Sequence, residues 1–188
     1  SFVLDPTGSP SGEESGQVVP WSLADVGATQ SWAVSGDGQG SVGVDLYVVD
    51  SGADHPDLNV VECLEVGADG VVPCASTADE NGHGTEVAAI AGAVDDADGL
   101  VGTAPGVRLH VVKVLGQNGS ANFSDIVETL AFLTERKLEN PDVPMVVNLS
   151  FGADVKTTEY SSIDRAVAAA VDAGIVCVVA AGNAGQDA

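Results

Sequence analysis

Basic residues are scarce in this chain of 188 residues. Six Lys and Arg stand against 28 Asp and Glu, and the formal net charge is −22. Binding to phosphate groups needs clustered Lys and Arg, so nucleic acid is excluded as a partner. An anionic membrane surface is excluded for the same electrostatic reason. Two interpretations of the many carboxylates stay open: a solubilising surface charge, or binding of a divalent cation by some of them.

Long apolar runs are also missing, and none reaches the roughly 20 residues of a membrane-spanning helix. The first 16 residues are rich in Ser, Gly, Pro and Glu and lack the basic and apolar regions of a signal peptide. A mature secreted protein would have lost such a peptide, so its absence leaves secretion open. We interpret residues 1–16 as a flexible arm and residues 17–188 as one globular unit.

Cysteine is rare, with three residues. Cys63 and Cys74 flank a glycine-containing stretch that can turn back on itself. A local disulfide and two reduced thiols are both open on this pattern. Cys177 lies within an apolar run and is expected to behave as a small buried hydrophobic residue.

The rest of the sequence alternates strands and helices. Apolar runs predict strands, and apolar residues at helical spacing predict helices. The expected strands are 42–49, 108–115, 145–149 and 175–180, and the expected helices are 85–94, 124–138 and 160–173. In the first helix Val87, Ile90, Ala91 and Val94 are near helical spacing, and Ser124 is the expected N-cap of the second. This order predicts an α/β fold, with a mostly parallel sheet covered by helices on both faces.

Polar residues follow three of the predicted strands. Asp50 ends the first, Asn148 to Ser150 closes the third, and Asn183 follows the fourth. In parallel sheets the carboxyl ends of the strands share one edge, where functional sites collect. The sequence therefore predicts a site at this edge, although any one of these residues alone would be an ordinary turn residue.

Three segments together resemble the subtilisin-like serine proteases, the subtilases. They are Val48-Val49-Asp50-Ser51-Gly52 with a following His55-Pro56-Asp57-Leu58, then Asn81-Gly82-His83-Gly84-Thr85, and finally Ala180-Ala181-Gly182-Asn183. Each is a weak signal alone, but their order and spacing are specific. The resemblance implies a three-layer subtilase fold for residues 17–188.

The resemblance also implies roles for individual residues. Asp50 corresponds to the family's catalytic aspartate, His83 to its general base and Asn183 to its oxyanion-hole asparagine, the roles that subtilisin itself exemplifies. Two segments resemble the walls of the family's peptide-binding cleft. Their substrate-binding residues are Gly119, Ser120, Ser150, Phe151 and Gly152.

A calcium ion is the cofactor that the resemblance implies. The family's high-affinity site is a loop that interrupts the helix after the histidine, which corresponds to residues 93–100. The expected oxygen ligands are the side chains of Gln17, Asp57 and Asp96 and the backbone carbonyls of Val94, Asp98 and Leu100. Two of these six ligands are carboxylates, which suits Ca²⁺. A solvated acidic loop without a metal is the alternative interpretation.

The family's Gly-Thr-Ser segment, which carries the nucleophile, does not occur in these 188 residues. The chain is therefore expected to be incomplete as an enzyme and to need a second polypeptide segment with that serine. The expected function is that of a secreted, calcium-stabilised serine endopeptidase acting on peptide or protein substrates. An inactive relative or fragment that binds peptides is the alternative.

Overall fold

The computed structural model describes residues 16–28, 30, 42–96, 98–152, 160–183 and 185. The predicted arm falls almost wholly outside these residues. The helices are α1 (Trp21–Asp25), α2 (His83–Gly92), α3 (Phe123–Glu139) and α4 (Tyr160–Asp172). The strands are β1 (Asp45–Asp50), β2 (Val60–Gly67), β3 (Gly70–Pro73), β4 (Arg108–Lys113), β5 (Met145–Leu149) and β6 (Ile175–Val179).

Six strands form one sheet in the order β3-β2-β4-β1-β5-β6. All neighbours are parallel except β2 and β3, which pair antiparallel. Alternate residues of β1 point to opposite faces. Tyr47 and Val49 pack in the core beneath α3 and α4, whereas Leu46 and Val48 pack with Ala88 of α2. The predicted α/β fold with helices on both faces is confirmed.

The four predicted strands and three predicted helices all form. Their ends shift by no more than three residues, as in β1, which begins at Asp45 instead of residue 42. Ser124 as N-cap was wrong. Asn122 takes that position with φ −82° and ψ 144°, so Ser124 already lies inside α3.

The apolar residues whose spacing predicted α2 are not its fully buried residues. Ile90 is 60% exposed, and Val94 lies beyond the end of the helix. The buried residues are instead small: Gly84, Ala88 and Gly92. A Cβ on Gly84 would lie 2.2 Å from the carbonyl oxygen of Gly52, so only glycine allows α2 to approach the end of β1 this closely.

The hairpin of β2 and β3 was not predicted as strands. Its two cysteines do pair: Cys63 and Cys74 form a disulfide with Cα atoms 5.4 Å apart. The backbone N–H of Cys74 also donates to the carbonyl of Cys63 at 3.0 Å. Cys177 is a free thiol that packs against the core beneath α3 and α4, and burial raises its pKa. Within the described residues, no helix is both long enough and apolar enough to cross a membrane.

A polar network crosses the opposite end of the sheet, away from Asp50. The Arg136 guanidinium on α3 makes two hydrogen bonds to the Glu62 carboxylate, one of them 3.0 Å from Nη2 to Oε1. It also donates to the Tyr47 hydroxyl at 3.0 Å. His110 contacts Glu62 at 2.9 Å and stacks on Tyr47 with ring centroids 4.4 Å apart. The network ties α3 to three strands.

We expect Arg136→Met to lower the free energy of unfolding by about 2 kcal/mol at pH 7, because a half-buried carboxylate loses its charged partner. Burial raises the pKa of Glu62, but hydrogen bonds from Arg136 and His110 outweigh it and hold this pKa below its usual range. A depressed carboxyl pKa stabilises the fold above the unfolded-state pKa of about 4.3, and this contribution disappears as pH falls through the folded-state value.

The measurement is urea unfolding of the full protein at pH 7 and at several acidic values. The difference in free energy of unfolding between wild type and Arg136→Met should shrink as pH falls below the unfolded-state carboxyl pKa of about 4.3. Glu135→Gln, at an exposed carboxylate on the same helix, is the control and should change little. If the difference in free energy of unfolding stayed constant down to acidic pH, the ion pair between Arg136 and Glu62 would not be its cause.

Candidate active site

The carboxyl ends of β1, β5 and β6 lie side by side at one edge of the sheet. Val48 of β1 pairs with Asn148 of β5, and Leu149 of β5 pairs with Val179 of β6. The three polar segments predicted for this edge therefore follow neighbouring parallel strands. The sheet topology therefore brings the three polar segments to one edge of the sheet, as the sequence predicted.

Asp50 and His83 meet at this edge although 33 positions separate them in the sequence. The Nδ1 atom of His83 lies 2.8 Å from Oδ1 and 3.0 Å from Oδ2 of Asp50. The Asp50 side chain is fully buried, whereas the His83 side chain is 43% exposed. Because a carboxylate only accepts hydrogen bonds, Nδ1 carries the proton and Nε2 of the neutral ring is left as an acceptor.

The loop after β1 fixes the carboxylate of Asp50. Its Oδ1 accepts from the backbone N–H of Ser51 at 2.8 Å and from the Ser51 hydroxyl at 3.2 Å. The Ser51 hydroxyl in turn accepts from the backbone N–H of Gly84 at 3.0 Å. One serine thus links the Asp50 carboxylate to the first turn of α2, next to His83.

Asn183 lies in the loop after β6. It is exposed and follows Gly182, which has a φ of +85° that favours glycine. The preceding chain is anchored to the sheet, because the backbone N–H of Ala180 donates to the carbonyl of Leu149 at 3.1 Å. Its oxyanion role stays a prediction, at the same sheet edge as Asp50.

The predicted substrate-binding residues fall into two groups at this edge. Ser150 follows β5, and its hydroxyl accepts from the Asn148 side chain at 2.8 Å. Phe151 packs against the core and Gly152 is exposed. Gly119 and Ser120 are also exposed, in the turn that follows β4. The side chain of Asn81 donates to the carbonyl of Gln117 at 2.9 Å and so joins this turn to the segment before His83.

The predicted calcium ligands come from three segments, and four of the six are joined by hydrogen bonds. The Gln17 side chain donates to the Val94 carbonyl at 3.0 Å, and Asp57 Oδ2 accepts from the Leu100 backbone at 2.8 Å. The Val94 backbone donates to the Asp57 carbonyl at 3.0 Å and connects these two pairs.

The other two predicted ligands lie in an exposed loop. The backbone of Asp98 donates to Oδ1 of Asp96 at 2.8 Å. Among the described residues, no three His, Cys, Asp or Glu side chains gather closely enough to hold a metal. The predicted set needs only two carboxylates beside amide and carbonyl oxygens, a donor chemistry that fits Ca²⁺. The ligand assignment stays a prediction.

Asp79 is a residue of this region that the sequence reasoning missed. Its carboxylate accepts from the backbone and the hydroxyl of Thr85 at 2.8 and 2.7 Å. It also accepts from the backbone N–H groups of Asn81 and Gly82. The available signal was an acidic residue four positions before His83, close to the start of a helix, where acidic residues are favoured.

Comparison with known proteins agrees with this geometry. Residues 42–188 match the sequence profile of the subtilase family. Subtilisin Savinase of Lederbergia lenta is 36% identical over 170 residues, which cover 90% of this chain and 57% of that protein. The extracellular serine proteinase of a Thermus species is 38% identical over 146 residues, which cover 78% of this chain and 32% of that protein.

A solved structure shares the fold. Sphericase superposes with a TM-score of 0.71 at 31% sequence identity, covering 86% of this chain and 53% of that one. The chain spans about half the length of the curated relatives it matches.

Proposed function

Because this chain belongs to the subtilase family, we propose that it supplies the acid–base half of the active site of a secreted serine endopeptidase. The observation that carries the proposal is the contact between the buried Asp50 carboxylate and Nδ1 of the half-exposed His83. This pair orients the ring and leaves its Nε2 atom free to accept a proton.

In the proposed reaction, Nε2 of His83 removes the proton from a serine hydroxyl as the serine oxygen attacks the carbonyl carbon of the scissile peptide bond. Asp50 keeps Nδ1 protonated and stabilises the imidazolium that forms. The Asn183 amide donates a hydrogen bond to the oxyanion. His83 then gives its proton to the leaving amine, and an acyl-enzyme remains. Water, deprotonated by His83, hydrolyses the ester and regenerates the serine.

We propose that an extended peptide binds between the two segments at this sheet edge. Ser150, Phe151 and Gly152 would form one wall and Gly119 and Ser120 the other. Backbone groups at such an edge can pair with an extended substrate as an added strand. The exposed position of Gly152 and of the 119–120 turn supports this arrangement.

The proposed nucleophile lies outside residues 1–188, on a further segment or a second chain with the Gly-Thr-Ser sequence. The outer strand β6 supports this, because Val176 and Val178 on its face are 59% and 49% exposed. Apolar side chains exposed together mark a surface that another segment covers. This surface adjoins the loop of Asn183.

Secretion is supported by chemistry within the chain. The disulfide between Cys63 and Cys74 is typical of proteins that fold outside the reducing cytosol. The 38% identical relative from a Thermus species is named an extracellular serine proteinase. We expect the protein in the culture medium of its source.

The proposal is tested with the full protein, including the polypeptide that contributes the serine. We expect hydrolysis of dye-labelled casein, abolished by a serine-directed fluorophosphonate. Binding of peptides without hydrolysis or labelling would instead favour a non-catalytic peptide-binding protein and would overturn the enzyme assignment.

We also propose calcium as a structural ion held by Gln17, Asp57, Val94, Asp96, Asp98 and Leu100. Bound Ca²⁺ would neutralise the Asp57 and Asp96 carboxylates and tie the loop of residues 93–100 to the N-terminal segment. The hydrogen bonds that already join Gln17 to Val94 and Asp57 to Leu100 support this set.

Removing calcium with a strong chelator should lower the melting temperature by about 5–10 °C, since an ion at about 100 times its Kd stabilises the folded state by about 2.7 kcal/mol. Asp57→Asn should lose most of this response, whereas Asp95→Asn, at an adjacent carboxylate outside the set, should keep it. Identical melting curves with and without chelator would remove the metal assignment.

A further inference from the structure

The start of helix α2 is held by side chains from outside the helix. Its N-cap residue is Gly82, with a φ of +92° and no side chain to accept from the first N–H groups. Instead, the backbone of His83 donates to Asn81 at 3.3 Å, that of Gly84 to Ser51 at 3.0 Å, and that of Thr85 to Asp79 at 2.8 Å. These acceptors decide where the helix starts.

Asp79 makes the most bonds of the three. Its Oδ1 accepts from Gly82 at 2.9 Å and Asn81 at 3.2 Å, and its Oδ2 accepts from both the backbone and the hydroxyl of Thr85. The Asp79 carboxylate therefore accepts hydrogen bonds from backbone groups on both sides of His83 in the sequence. A negative charge at this end is also favoured by the helix dipole.

The same aspartate is packed against the loop after β1. A Cβ on Gly52, which has a φ of +145°, would lie 3.0 Å from both Cα and Cβ of Asp79. The Thr85 hydroxyl, besides donating to Asp79, accepts from the backbone N–H of Asp54 at 3.1 Å. Asp79 thus links the helix that carries His83 to the loop that begins at Asp50.

The carboxylate is ionised under all ordinary conditions. Burial raises the pKa of Asp79, but hydrogen bonds from the Thr85 hydroxyl and from the Gly82 and Thr85 backbones outweigh it and lower the pKa to about 2. It accepts hydrogen bonds at neutral pH and has no proton to transfer there.

We propose that Asp79 is a positioning residue for His83: by clamping the start of α2 it holds Nδ1 within hydrogen-bond distance of Asp50. This inference rests on the proposed function of His83 as the general base. A small displacement of a catalytic group lowers the rate steeply, by up to about 100-fold for 1 Å. The effect should appear in the chemical step, because Asp79 touches neither the proposed peptide cleft nor the scissile bond.

The test is Asp79→Asn in the full protein, compared with Glu80→Gln, which removes the same charge from the adjacent exposed side chain. In Asp79→Asn the side-chain NH₂ group would face backbone N–H groups that are themselves donors, so hydrogen bonds at the start of α2 would be lost. We expect kcat to fall roughly 10- to 100-fold with KM changed less than about threefold, while Glu80→Gln stays near wild type. The His83 Nδ1 proton should also shift in the NMR spectrum of Asp79→Asn.

Two variants of Thr85 provide a second test in case Asp79→Asn does not fold. Thr85→Val removes the hydroxyl that donates to Asp79 and accepts from Asp54, and it should lower kcat severalfold, whereas Thr85→Ser keeps the hydroxyl and should restore kcat. Wild-type kcat and an unshifted Nδ1 proton in folded Asp79→Asn, or equal activities of the two Thr85 variants if it does not fold, would overturn the inference. Absence of hydrolysis in the wild type would instead refute the proposed function.

Discussion

Replacing His83 with alanine should lower kcat by about 10⁶-fold, and Asp50→Asn should lower it by about 10⁴-fold. The first magnitude is that of subtilisin, a member of this family, and the second is that of the same Asp→Asn change in a chymotrypsin-type protease with an equivalent triad; both are carried over. The physical reason lies in the pair itself. Without His83 nothing removes the serine proton, and without the Asp50 carboxylate the ring loses the partner that fixes its tautomer. The measurement is steady-state hydrolysis of a peptide substrate by the full protein.

The control for these variants is His55→Gln. His55 is exposed and its Nδ1 accepts from the backbone of Asp57 at 3.2 Å, outside the proposed catalytic group. Its loss should leave kcat within about twofold of wild type. The double variant His83→Ala/Asp50→Asn should be no worse than His83→Ala alone, because the two residues act as one unit. Additive losses would contradict their coupling.

Asn183→Leu should lower kcat by about 10²–10³-fold and leave KM nearly unchanged, a magnitude also taken from subtilisin. The Asn183 amide would donate to charge that exists only in the transition state, so its removal affects the chemical step more than substrate binding. Leucine has nearly the same size and offers no donor.

Asn183→Asp is the matched variant, since it keeps the shape and replaces the donor with an acceptor. It should be at least as slow as Asn183→Leu at neutral pH, because a carboxylate would repel the oxyanion. If either variant retained more than a third of wild-type kcat, Asn183 would not be the oxyanion donor.

The regular part of the fold could be predicted because its strands are apolar on both faces. Val111 and Val112 of β4 are both fully buried, on opposite sides of the sheet, and such runs stand out in the sequence. The hairpin of β2 and β3 lies at the sheet edge and carries polar residues such as Glu62 and Glu65 among its valines. That mixed pattern gives no apolar run to recognise.

Helix α2 shows a different limit. Its apolar residues at helical spacing, Ile90 among them, predicted the helix, but the contact with β1 is so close that small residues such as Gly84 and Ala88 are the buried ones. The spacing of hydrophobic residues cannot identify a helix face that is buried because its residues are small. The same close contact brings His83 to Asp50, so the helix was found while its orientation was not.

The candidate site divides in a similar way. Asp50 and His83 lie in segments that match a known pattern, and the pattern predicted their pairing. Asp79 interacts through four hydrogen bonds whose donors become neighbours only after the chain turns before α2. The calcium ligands were also expected from the family pattern. The structure joins Gln17, Asp57, Val94 and Leu100 by hydrogen bonds, but their binding of an ion stays a prediction.

The most direct test of the central claim is to find where a fluorophosphonate attaches. The full protein is labelled, digested and analysed by mass spectrometry, with His83→Ala in parallel. The account predicts one adduct on the serine of a Gly-Thr-Ser segment outside residues 1–188, lost in His83→Ala. An adduct on a serine within residues 1–188, or equal labelling of His83→Ala, would contradict the claim that Asp50 and His83 activate a nucleophile supplied from elsewhere.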